Sequence, residues 1–376
     1  MPRRTGKPSD GDYIEGAEAA DAEPSQEAAP LVIDAAGGAG ERVDRFLAAR
    51  LPEVSRARIQ QWIALGAVWC EQRALLSKTR LAGYETIFVR PLPREADSAF
   101  EPDDVALDIV DEDDSLMVIN KPAGLVTHPA AGNWRGTLLN GLLHHRPRSA
   151  SLPRAGIVHR LDKDTSGLMV VGKTEAACAA LVAQLADRSM SRRYLAVVHG
   201  RPPASGEIDL PIGRDPRQRT RMAVVAEPAG RAAQTRFERL AVGPDRQTSG
   251  ARLPTPEAGG DAFAASLLGC ALRTGRTHQI RVHLSYLGHP LLGDALYGGR
   301  TDAIARQALH ACALALRDPI DGRAREWRAA PPDDLRRLLD RLADPGLDAA
   351  IEAWLDRREP AAAACPLPMT TAGGRR

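Results

Sequence analysis

The chain has 376 residues, too many for one small domain and enough for two, and its 44% hydrophobic and 26% charged content is ordinary for a soluble globular protein. A formal net charge of +2 excludes a global field that would announce a nucleic-acid partner, so any such role must rest on local arginine clusters. Five cysteines (Cys70, Cys178, Cys270, Cys312 and Cys365) form no C-x-x-C pair, which argues against a zinc site or a disulfide framework and fits a reducing compartment.

Residues 1–40 are rich in Ala, Gly, Glu, Asp and Ser, with few large apolar side chains. Such a segment cannot bury enough surface to offset its ordering entropy and is predicted to be a disordered arm. Arg3, Arg4 and Lys7 are followed by no apolar stretch, so the arm lacks the make-up of a signal peptide, and no run in the chain approaches the roughly 18 apolar residues of a membrane span. A cytoplasmic location with no membrane partner is the expectation.

From residue 41 to 91 the pattern changes. Val43, Phe46, Leu47 and Leu51 recur at helical spacing up to Pro52. Ser55 then caps a helix with Ile59, Trp62, Ile63 and Leu65 on one face and Gly66 as its stop. Ala67–Trp69 and Thr86–Val89 read as short strands. This helix-helix-strand order resembles a small S4-like α/β RNA-binding domain, a likeness that would set Arg56, Arg58 and Lys78 against phosphates; the alternative is an ordinary solvated helix face. Residues 92–102, bearing prolines and charges, read as a linker.

Residues 103–345 read as a second domain. Val105–Val110 and Leu116–Ile119 are strand-like, turns follow at Asn120–Gly124 and His128–Asn133, and Thr137 opens a short helix through Leu143. His128, His144 and His145 match no metal-ligand spacing and read as surface or loop histidines; no metal site is expected. The stretch RAGIVHRLDKDTSGLMVVGKT, Arg154–Thr174, organises the domain as strand, tight polar loop and strand. Within its loop Asp162 lies between Arg160 and Lys163, cations that favour the ionised carboxylate. Such a group serves as nucleophile or general base, unless Asp162, Asp164 and Thr165 only cap a turn.

Glu175–Ala186 carries Ala, Leu and Val at helical spacing, and Tyr194 then opens a strand, where its ring can stack on a base or its hydroxyl anchor the chain. GRDPRQRTR places Arg214, Arg217, Arg219 and Arg221 in one short stretch, either as phosphate contacts or as a solvated loop. Residues 243–261 read as a loop insertion. Leu267–Leu272 is a strand, a Gly-rich turn around Asp294 lacks a phosphate-loop pattern, and Arg306–Leu316 is a core strand. Trp327–Pro332 and Asp333–Leu342 complete the domain as strand and helix, and residues 346–376 read as an extension disordered at its end.

HRLDKDTSG, INKPAGLVTHPAAGN from Ile119, RRYLAV from Arg192 and TGRTHQIRVHLSYLGHPLLGDALYGG from Thr274 together resemble the motifs of the RluA-type pseudouridine synthases, in family order over roughly Asp103–Leu335. The resemblance implies an α+β fold, with a pseudouridine synthase catalytic domain built on a mixed, largely antiparallel sheet. It also implies an isomerase that uses no cofactor and acts, as a monomer, on large-subunit ribosomal RNA or its assembly intermediates. By the same resemblance Asp162 is the catalytic aspartate, Tyr194 lies over the target base and Arg281 pairs with the aspartate. Arg160 and Arg192 would then meet RNA, while His159, Leu161, Asp164, Arg276 and His278 would brace the site.

Two alternatives stand beside it. Asp162-Lys163-Asp164-Thr165-Ser166 superficially resembles the nucleophile loop of haloacid-dehalogenase-like Mg-dependent phosphotransferases. Those need an apolar strand before the first Asp, which His159-Arg160 interrupts, and a downstream acidic pair, where Gly293-Asp294-Ala295 offers one carboxylate. The other is a non-catalytic RNA-binding ribosome assembly factor, against which the presence of Asp162, Tyr194 and Arg281 argues.

Overall fold

The computed structural model describes residues 30–357, apart from 72, 93–97, 131, 219, 244–264 and 343. Most of the predicted arm, the core of the linker, Arg219, nearly all of the 243–261 insertion and the end of the C-terminal extension therefore lie outside the described residues. The chain divides into two compact units, Met1–Arg94 and Glu95–Arg376.

The first unit is an antiparallel sheet with two helices on it. Strands β1 (Leu31–Asp34), β2 (Val68–Cys70), β3 (Arg73–Ala74) and β4 (Thr86–Val89) pair in the order β1-β4-β2-β3. Helices α1 (Val43–Arg50) and α2 (Arg56–Ala64) bury Val43, Phe46, Leu47, Ile59, Trp62 and Ile63 against Val68, Ile87 and Val89. The Ser55 hydroxyl accepts the Arg58 N–H, as the cap reading required. The arm boundary at residue 40 is corrected: Leu31–Asp34 pairs residue for residue with Thr86–Val89. Its apolar run is short, but the β4 edge supplies the hydrogen-bond partners that local composition cannot reveal.

The second unit is built on a mixed sheet. In chain order its strands are β5 (Ile109–Glu112), β6 (Leu116–Lys121), β7 (Ser166–Gly172), β8 (Ser191–His199), β9 (Ser205–Asp209), β12 (Gln234–Val242), β13 (Ala265–Leu272), β14 (Leu309–Arg317) and β15 (Ala324–Arg328). They are joined in the order β5-β6-β7-β14-β8-β13-β12-β9, with β15 beside β14, and only β7 and β14 run parallel. A separate hairpin, β10 (Ile212–Arg214) with β11 (Met222–Val224), carries the arginine-rich turn. Along β8 the side chains alternate: Tyr194, Ala196 and Val198 enter one core, Leu195 and Val197 the other. The first core is closed by α3 (Leu138–His145) and α5 (Gln279–Tyr286), the second by α6 (Asp333–Asp340) and α7 (Leu347–Asp356), while α4 (Glu175–Ala186) covers β7.

Three boundaries differ from the sequence reading. The segment before Asp162 is not a strand: Ile157 makes a single bridge to Val171, because the chain turns through left-handed residues at Arg154 and Ala155. The first strand of the unit begins at Ile109 rather than Val105, and the last ends at Arg328. The extension assigned from residue 346 is part of the domain, since Leu347, Ile351, Trp354 and Leu355 are buried in the second core.

Candidate active site

Loop 159–165 is pinned by its backbone. Four successive carbonyls each accept a hydrogen bond: Leu161 from the Thr127 hydroxyl (2.9 Å), Asp162 from the Thr165 N–H (3.1 Å), Lys163 from Lys121 Nζ (3.0 Å) and Asp164 from Arg306 Nη1 (3.1 Å). His159 accepts the Val170 N–H on Nε2, and burial pushes its pKa down to about 3, so the ring is neutral and acts as an acceptor. Leu161 is buried in the first core. A loop so held presents its side chains with little freedom to move.

Asp162 has a side chain 15% exposed. Its Oδ2 accepts from Arg281 Nη1 at 3.0 Å, and its Oδ1 lies 3.9 Å from His278 Nε2. Arg281, on the first turn of α5, directs Nε (2.7 Å) and Nη2 (2.9 Å) at the buried carboxylate of Asp294, and its guanidinium lies 5.0 Å from the Tyr297 ring centre. Burial opposes its charge, but the Asp294 hydrogen bonds and the Asp162 charge outweigh that and raise its pKa.

Tyr194 projects from β8 into the same cavity, of about 530 Å³, which Asp162, Arg281, Arg160 and His278 also line. Burial pushes its phenol up to about 12, so it is a neutral hydroxyl at physiological pH. His278, at the start of α5, sets Nδ1 2.9 Å from the Tyr297 hydroxyl, and burial lowers its pKa. Among the described residues no group of three His, Cys, Asp or Glu side chains could hold a metal ion.

The predicted RNA contacts divide. Arg160 is exposed at the cavity, whereas Arg192 is buried in its wall and is no surface contact, because its strand runs through the middle of the sheet. Arg56 is committed to the buried Asp44 (3.0 Å), and Arg58 to Gln61 and the Leu92 carbonyl, so both stabilise their own unit; Lys78 is exposed. On the hairpin Arg214 and Arg217 are exposed, while Arg221 lies 3.7 Å from Asp215 and over the Tyr297 ring at 4.9 Å. Arg276, predicted as a brace, is exposed and donates Nε to the Ala232 carbonyl; the Asp164 side chain is half-buried.

Three residues of the site escaped the sequence reading: Asp294, Tyr297 and Lys121. Lys121 is fully buried and gives its three N–H bonds to the carbonyls of Pro122, Leu125 and Lys163, although burial pushes its pKa down to about 7. A lysine two residues beyond the apolar run Leu116–Ile119 was the available signal, as was one acid amid the glycines at 293–299.

The family profile for RNA pseudouridylate synthase matches residues 115–286, which hold Asp162, Tyr194 and Arg281. The chain is 46% identical over 335 residues to "Ribosomal large subunit pseudouridine synthase D" of Neisseria meningitidis serogroup A, covering 85% of this chain and 84% of that protein. The chain belongs to the RNA pseudouridylate synthase family. It is therefore an enzyme, an isomerase. A relative of the same designation from Escherichia coli O6:H1 is 43% identical over 322 residues, covering 80% of this chain and 90% of its own. Among solved structures, Human RNA Pseudouridylate Synthase Domain Containing 1 aligns with a TM-score of 0.50 at 25% identity, covering 69% of this chain and 98% of that one.

Proposed function

We propose that the enzyme isomerises uridine to pseudouridine in large-subunit ribosomal RNA, with Asp162 as the catalytic carboxylate. The observation that carries this reading is the Arg281–Asp162 pair at 3.0 Å in a cavity that Tyr194 also lines. A uridine stacked in a helix cannot reach such a cavity, so it must be flipped out, at an unstacking cost of about a few kcal/mol. Arg160 at the rim is suited to the phosphate of the flipped nucleotide or to the vacated space.

Arg281 holds Asp162 through Oδ2 and leaves Oδ1 toward the cavity, where it attacks C1′ or takes a proton from C2′; both routes need the same ionised oxygen. The C1′–N1 bond breaks, the uracil turns, and C5 joins C1′. Tyr194, a neutral phenol, stacks on the base and relays the C5 proton rather than standing as a phenolate base. Asp162→Asn folds, binds ribosomal RNA and makes no pseudouridine in a tritium-release assay on uridine-labelled RNA; ordinary turnover by this variant would overturn the assignment.

The phosphotransferase alternative is not favoured, because Asp162 precedes β7 instead of ending a strand. The first unit we read as an S4-like RNA-binding module with Lys78 toward RNA, an assignment its two helices and four-stranded sheet support. The cytoplasmic location rests on the ribosomal substrate. One chain supplies Asp162, Tyr194 and Arg281, which a monomeric enzyme requires.

A further inference from the structure

Five non-glycine residues among those described have left-handed backbone: Glu71, Arg154, Ala155, Arg188 and His278. Three of them, Arg154 (φ +54°), Arg188 (φ +66°) and His278 (φ +56°), line the Asp162 cavity. A long L side chain in this region is strained, and such strain survives where the surroundings enforce it, most often at ligand sites. At Arg188 the enforcing element is the end of α4, where the Ser189 N–H reaches the Gln184 carbonyl at 3.0 Å, so an exposed arginine stands on the cavity rim at a helix-closing position that glycine or asparagine usually fills.

Charge pairing gives a second, independent observation. Several arginines of this unit are met by carboxylates: Arg306 by Asp334, Arg236 by Glu207, and Arg325 by Asp111, Asp113 and Asp318. At the cavity, no carboxylate among the described residues lies within ion-pair distance of Arg188 or Arg276, which both line it. Arg188 and Arg276 line the same cavity, and after burial the charges of Arg231 and Arg188 lower the pKa of Arg276. Guanidinium groups gathered without an acid repel one another, and an anion among them removes the repulsion. Beside them α4 offers an apolar ledge, since Val182 is 51% exposed and lines the cavity together with Leu185.

We propose that Arg188 and Arg276 form a phosphate seat for the RNA backbone next to the flipped uridine, with the Val182–Leu185 ledge receiving the adjoining base. The seat rests on the reading of the cavity as the uridine site. It makes Arg276 a binding residue rather than a brace. The bound chemistry is a phosphodiester, and the unpaired fork of Arg188 suits its two non-bridging oxygens.

The test uses the full-length protein and an in vitro transcript of large-subunit ribosomal RNA, with Kd measured by filter binding across a salt series. Arg188→Asn is expected to bind roughly five- to tenfold more weakly at about 0.1 M salt, with a log–log salt slope shallower by about 0.7–0.9, the share of one phosphate. Its thermal midpoint should stay level or rise, because Asn occupies left-handed backbone more readily than Arg. Arg188→Lys should keep the wild-type slope with intermediate affinity. Arg148→Asn, which removes an exposed charge away from the cavity lining, should leave binding unchanged. An unchanged slope in Arg188→Asn, a lowered thermal midpoint, or an equal loss in Arg148→Asn would each overturn the seat. Failure of the wild-type protein to form pseudouridine would instead overturn the uridine reading, while the salt slopes would still report on the phosphates.

Discussion

Of the five N–H bonds on the Arg281 guanidinium, two go to Asp294 and one to Asp162. Asp294 thus sets the plane of the fork, and the fork sets Asp162. Removing the fork leaves two carboxylates, one of them wholly buried, facing each other without a cation. Arg281→Ala is therefore expected to lose about 3–5 kcal/mol of stability together with its turnover, measured as a drop in the urea midpoint and in tritium release; an active variant of wild-type stability would dissolve the pairing. Arg281→Lys, a point charge, cannot serve both acids and should recover part of the stability and little of the rate. Tyr194→Phe keeps the ring but not the hydroxyl. It should retain RNA binding and cleavage of the glycosidic bond, with product formation slowed, and full turnover would remove the proton relay.

Elements hold these residues at their mutual distance. Strand β7 runs parallel to β14 only at Ser166–Gly167, and Gly167 has φ +115° with its missing Cβ 2.3 Å from the Ala311 carbonyl. No side chain fits there, so the loop that carries Asp162 enters the sheet at one fixed place. Helix α7 acts on the next strand. Arg193, beside Tyr194, donates to the carbonyls of Trp354 and Leu355 and lies over the Trp354 ring. Burial of Leu347, Ile351, Trp354 and Leu355 is worth about 6–12 kcal/mol at roughly 1.5–3 kcal/mol each, comparable to the whole stability of a domain, about 5–15 kcal/mol. A chain ending at residue 345 is expected to fail to fold, judged by protease resistance and circular dichroism, whereas one ending at residue 357 should melt with the full-length protein.

Burial first, then nearby arginines, lower His159 to about 3 and His128 to about 4, and burial lowers His310 to about 4, so the whole molecule holds these histidines neutral. Between those values and the ordinary 6.5 the unfolded chain binds protons that the folded chain does not, so stability rises with pH across about 4–6.5 and is lost on acidification. Asp44, pushed up by burial but brought down to about 2 by Gln60, Arg42 and Arg56, adds to the loss in the same direction below about pH 4. The thermal midpoint should fall between pH 7 and 5, and His310→Gln should flatten that fall; an unaltered slope would show that His310 is protonated in the folded state.

Asp162, Tyr194 and Arg281 were legible because each sits in a short run of distinctive neighbours, and most helices and strands because apolar side chains repeat with the period of the element that buries them. Asp294, Tyr297 and Lys121 were not, since Asp294 and Tyr297 meet partners 13 and 19 positions along the chain and Lys121 meets the Lys163 carbonyl 42 positions on, while one acid among glycines and a lysine after an apolar run also fit turn or surface residues. The same reason hid β1 and α7: a strand of four residues and a helix of ten are stable only against a surface supplied from elsewhere in the chain. Local order and the motifs it carries thus pointed to the proposed site residues and, by resemblance, to the kind of chemistry. Which oxygen of Asp162 faces the cavity, which arginines are already neutralised and which await an anion depend on contacts closed across the sheet, and those exist only once the chain has packed.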